Sequence, residues 1–211
     1  MSRDEVKKVV GSTMDIIIGK DKFPLIKFDN NKYANILPVT KYQFERYIWE
    51  MAPKIVYDES LNKNPRVTPI ELTKKNIKQL LITNVSFKEA SDFAKWIGGR
   101  LPAKNELLSL NKYLSEIRVE SLIDITASRK KYIDARWFGF LNNLSHVNVT
   151  ITELFRNVQM EELCSNSAFI PESELWLRNL NGDHYSSLVG ESLMEVRGEF
   201  GFRVIITQGD N

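Results

Sequence analysis

NVSFKEASDFAKWIGGRLPAKNELLSL, residues Asn84–Leu110, carries the strongest local signals in this 211-residue chain. Ser86 stands three positions before Glu89. In that pairing a hydroxyl accepts from an early helix N–H and the carboxylate reaches back to the cap's own N–H. Phe87, Ala90, Phe93, Ala94 and Ile97 then recur at helical spacing and form one apolar face. Gly98 and Gly99 stop that helix, since glycine enters the left-handed region without a Cβ penalty. Pro102 opens a second helix, with Leu107, Leu108 and Leu110 as core contacts. The stretch thus predicts a helix, a glycine stop, an RLP turn and another helix.

The same start signal occurs twice more. Thr40 precedes Gln43 by three, and Phe44, Ile48 and Met51 follow as a helical stripe that Pro53 ends. Thr68 precedes Glu71, with Pro69 at the first helical position. TMDIIIG (Thr13–Gly19), FPLIKF (Phe23–Phe28), SELWLRNL (Ser173–Leu180) and GFRVIIT (Gly201–Thr207) predict strands. RWFGFLNNL (Arg136–Leu144) and HVNVTITELF (His146–Phe155) read as further strands on a weaker signal.

With 43% hydrophobic and 27% charged residues, the composition is that of a globular protein able to bury a core. A net charge of +2 implies no strong overall attraction to nucleic acid or membrane. The short clusters Lys74–Lys75 and Arg129–Lys131 read as solvated surface. One cysteine, Cys164, allows no intramolecular disulfide and no CxxC metal site, and it reads as a small buried hydrophobe. No apolar run approaches the ~18 residues of a membrane span. The opening MSRDEVKKVVGSTMDIII mixes charge into its apolar stretch, so a cytoplasmic location is expected. Trp49, Trp96, Trp137 and Trp176 read as core, with Trp176 also a candidate for a binding face.

Three segments, in order, resemble landmarks of the formylglycine-generating enzyme (sulfatase-modifying factor) family. Leu37–Ile48 resembles its helix start, Asn84–Leu110 its helix pair, and GEFGFRVI its terminal strand. The resemblance implies one domain over residues 1–211 with an α+β fold. That fold is a variant of the C-type lectin fold, in which short helices pack around small twisted antiparallel sheets. Arg100 of GGRLP and Arg203 of GFR then read as structural, with Arg100 bonding carbonyls freed by the turn.

The family's chemistry has no matching residues here. Its sulfatase-activating members bind copper through a cysteine pair, and Cys164 is the single thiol. Related iron enzymes use three histidines, whereas this chain has His146 and His184 alone. The expectation is therefore a degenerate, non-catalytic member with no catalytic residue, no resident metal and no cofactor, calcium being the one ion left open. In the family, long loops before the last strand form the exposed ligand face. Trp176, Arg178, Asn179, Asn181, Asp183, His184 and Tyr185 occupy that region and make the candidate binding site. Its Asn, Asp, His, Tyr and Ser content also matches mutated asparagine codons. Phage and bacterial variable proteins, which resemble this scaffold, diversify the same region in that way.

The functional expectation is recognition of a macromolecular partner, a protein in preference to nucleic acid or membrane, through C-terminal loops. Two alternatives belong to other classes. One is a metal-dependent oxidoreductase with a divergent site on His146, His184, Asp183 or Cys164. The other is a structural adaptor subunit of a larger assembly.

Overall fold

The structure is a computed structural model, and it describes residues 14–51, 77–145, 148–155, 161–164, 174–179, 185–189 and 200–209. Among them the protein is a mixed α/β chain whose strands form two four-stranded sheets. The first sheet runs β1 (Ile16–Ile18), β2 (Pro24–Asp29), β3 (Lys32–Asn35) and β8 (Ile205–Thr207), all antiparallel. The second is ordered β6 (Tyr185–Val189), β5 (Glu174–Asn179), β4 (Glu161–Cys164) and β7 (Phe200–Phe202). It departs from the all-antiparallel expectation. β7 enters on the side of β4 away from the β5–β6 hairpin and runs parallel to it, a pairing that a long return connection permits.

The capping pairs form as their sequences require. Helix α1 (Lys41–Met51) begins where Thr40 N–H donates to Gln43 Oε1 at 2.9 Å and Gln43 N–H donates to Thr40 Oγ1 at 3.3 Å. At α2 (Phe87–Trp96), Ser86 N–H donates to Glu89 Oε2 at 2.7 Å and Glu89 N–H donates to Ser86 Oγ at 3.2 Å. The Thr68–Glu71 pair and Pro53 lie outside the described residues.

Gly98 ends α2 at φ +87°, a conformation that side chains with a Cβ resist. Gly99 is required for a different reason: a Cβ there would stand 2.5 Å from the Ile205 carbonyl oxygen. That closeness lets Arg100 exchange two backbone hydrogen bonds with Ile205, each 2.9 Å, and stitches the helix turn to β8. Helix α3 (Lys104–Leu114) follows the turn and buries Leu107 and Leu110, but Leu108 is exposed. Leu108 follows Leu107 by one position, about 100° around the helix, and so leaves the buried face.

Helices α4 (Val119–Ala127), α5 (Ala135–Ser145) and α6 (Ile151–Leu154) complete the described elements, with 3-10 turns at Ile77–Leu80 and Lys130–Tyr132. Two of these correct the sequence reading. Arg136–Leu144 is helical, because Trp137, Phe140, Leu141 and Leu144 recur at helical spacing and all are buried. Ile151–Leu154 is a helical turn capped by Thr150 and Glu153, the reciprocal hydroxyl–carboxylate device again. GFRVIIT likewise is two strands: Arg203 and Val204 separate β7 from β8 and carry the chain from one sheet to the other.

The apolar interior falls into two clusters. One gathers the inner face of the first sheet with Leu107, Leu110, Leu122, Trp137, Phe140 and Cys164. The other centres on rings: Phe44 lies 5.6 Å from Phe93 and 6.3 Å from Phe202, and Phe93 lies 5.5 Å from Phe202. Trp137 is core as expected, and Trp96 is partly buried against the second cluster. Trp49 is not core, being 81% exposed. It follows Ile48 by one residue, so the rotation that points Phe44, Tyr47 and Ile48 inward carries Trp49 out.

Candidate functional site

Four of the seven candidate site residues lie on the β5–β6 hairpin. β5 runs from Glu174 to Asn179 and supplies Trp176, Arg178 and Asn179, and β6 begins at Tyr185. Register brings Arg178 opposite Tyr185 and Trp176 opposite Ser187. On its other side β5 pairs with β4, with Trp176 opposite Cys164, Arg178 opposite Glu162 and Asn179 opposite Glu161. The hairpin thus draws together residues up to nine positions apart in sequence, at one end of the second sheet. Asn181, Asp183 and His184 fall in the connection between the strands, outside the described residues.

What anchors this end of the sheet is a pair that sequence reasoning half missed. Arg203 Nη1 donates to Glu162 Oε1 at 2.8 Å and to Glu162 Oε2 at 2.7 Å. The two side chains are 2% and 0% exposed. The guanidinium lies 6.0 Å from the Phe155 ring centroid. Arg203 is structural, as its place in GFR leads one to expect. Its partner had no signal in sequence, since Glu162 sits 41 residues upstream in a stretch with no strong period. Cys164 is fully buried in the first apolar cluster, in keeping with the small-hydrophobe reading.

Arg100 adds a feature the turn alone did not imply. It donates to the Leu101 carbonyl at 3.2 Å and also forks onto Glu106, with both N···O distances 2.7 Å. Glu106 accepts from Ala103 N–H at 2.8 Å and meets Lys32 Nζ at 3.3 Å. Burial works against the charge on Glu106. The Arg100 fork and the Ala103 N–H outweigh it and bring its pKa down to about 2. A second buried carboxylate, Asp21, behaves oppositely. Desolvation pushes its pKa up, although Gln43 Nε2 donates to it at 2.7 Å and Phe23 N–H at 3.0 Å.

Among the described residues no group of three or more His, Cys, Asp or Glu side chains could hold a metal ion, and His146 and His184 both lie outside them. Among the same residues no helix is long and apolar enough to cross a membrane. Comparison of the chain with protein-family models, with curated proteins and with solved structures gave no match.

Proposed function

We propose that this chain is a non-catalytic recognition protein on a formylglycine-generating-enzyme-like variant of the C-type lectin fold, and that it binds a protein partner through the β5–β6 hairpin and its connection. One observation supports the fold assignment. The three segments that resemble the family meet in space: Val39 N–H donates to the Phe202 carbonyl at 2.8 Å, Arg100 pairs with Ile205, and Phe44, Phe93 and Phe202 share one ring cluster. The site assignment rests on the register that sets Arg178 across from Tyr185 beside Trp176. Aromatic, arginine and asparagine residues in adjoining positions are the composition of protein-recognition loops.

The working picture is a rigid frame that presents an adaptable end. The Glu162–Arg203 pair fixes β4 against the β7–β8 crossing, and β5 hangs from β4 by four paired residues. The deciding experiment is partner capture followed by affinity measurement on Trp176→Ala and Tyr185→Ala. Loss of at least about tenfold for either, roughly 1.4 kcal/mol, supports the hairpin as the binding face. A captured partner that binds both variants as it binds the parent chain places recognition elsewhere.

A further inference from the structure

The turn between α4 and α5 concentrates positive charge, with lysines that make no ion pair among the described residues. Arg129, Lys130, Lys131 and Tyr132 are all exposed, Tyr132 to 56%. Exposed Lys22 lies alongside, because Asp134 N–H donates to the Lys22 carbonyl at 2.9 Å. Arg136 is the next cation, but it forks onto Asp134 through Nε at 2.9 Å and Nη2 at 2.8 Å. The nearby Asp15 accepts from Tyr33 Oη at 2.7 Å. Among the described residues, no ion pair engages Lys22, Lys130 or Lys131. In a chain of net charge +2, this is a strongly local excess.

The lysines here are also held in place. Lys130 Nζ sits 5.6 Å from the Phe138 ring centroid, and Lys131 Nζ sits 4.7 Å from that of Tyr132. A ring face attracts an ammonium and restrains its stem. Less conformational entropy is then lost when an anion binds. Arg129 is tied down as well, donating to the Ile16 carbonyl on β1, so the turn is pinned to the first sheet.

We propose that this turn, with Lys22, is a docking surface for an acidic segment of a partner protein. Charge complementarity selects the occupant. Three lysines that make no ion pair among the described residues match a few carboxylates. Nucleic-acid affinity grows with the number of phosphates neutralised, and this turn offers few cations for that. The surface is independent of the hairpin and does not require that reading to hold.

The test uses the full chain and a fluorescent hexaglutamate peptide, with fluorescent oligothymidylate as the competing chemistry, followed by anisotropy at low and at physiological salt. Saturable hexaglutamate binding is expected. It should weaken with salt and fall at least about tenfold in a Lys130→Glu, Lys131→Glu double variant, since two attractions become repulsions. Tyr185→Ala should bind hexaglutamate like the parent, which separates this surface from the hairpin. Circular dichroism of the double variant should match the parent. The proposal is overturned by an absence of saturable binding, by equal affinity in the double variant, or by tighter binding of oligothymidylate than of hexaglutamate.

Discussion

Arg203 donates from a single guanidinium nitrogen to both carboxylate oxygens of Glu162, and neither residue reaches solvent. The pair joins the crossing between the two sheets to the strand that supports the candidate site. Removing one member leaves the other charged in a low-dielectric interior. Glu162→Ala should therefore lose about 3–5 kcal/mol of stability in urea unfolding. A loss under about 1 kcal/mol would mean the pair behaves like an exposed bridge.

Acid should weaken the protein through Glu106. Its folded pKa, about 2, lies below the ordinary 4.5. The stability it contributes is present above pH 4.5 and is lost as pH falls toward about 2. Glu106→Gln should flatten the unfolding profile across that window. An unchanged slope would show that other carboxylates govern acid unfolding.

Asp21 has the opposite sign. Its folded pKa is raised above 3.8 by burial, so it favours the fold most below pH 3.8 and loses that contribution as pH rises through its folded value. Its two acceptor oxygens nevertheless take Gln43 Nε2 and Phe23 N–H. Gln43 cannot turn its amide over, because its Oε1 already accepts from Thr40 N–H. Asp21→Ala should cost about 1–3 kcal/mol for each donor left unpaired, measured by thermal unfolding.

Adjacent glycines should respond differently to alanine. At Gly98 the cost is conformational, about 1 kcal/mol, because φ is +87° and space is open. At Gly99 the new methyl would meet the Ile205 oxygen at 2.5 Å and Val204 Cγ1 at 2.6 Å. About 1–3 kcal/mol is expected there from overpacking, with loss of amide protection at Arg100 and Ile205 in hydrogen exchange. Equal effects at the two positions would contradict the close approach.

Local chemistry was the legible part of this sequence. Ser86 with Glu89 and Thr40 with Gln43 each specify a helix start within four residues, and both formed. The strands at Ile16–Ile18 and Pro24–Asp29 were equally readable from their apolar, β-branched runs. What failed depended on direction or distance. Trp49 and Leu108 are apolar, but each is one position off its helix's buried face. Arg136–Leu144 is dense in large apolar residues, which a short window reads as strand and a longer one as helix. At the candidate site, the pairing of Arg178 with Tyr185 follows from the hairpin, whereas Glu162 meets Arg203 through contacts that sequence proximity does not report.

β3 closes onto β8, with the Asn35 side chain accepting from Val204 N–H across 169 positions. On a ribosome the β1–β3 meander emerges well before β8, the strand that completes its sheet. Closing so long a loop is entropically slow, so the sheet is completed only after the intervening elements have emerged. Until then the waiting edge of β3 is open to wrong partners, and yield in a cell depends on how quickly β8 reaches it.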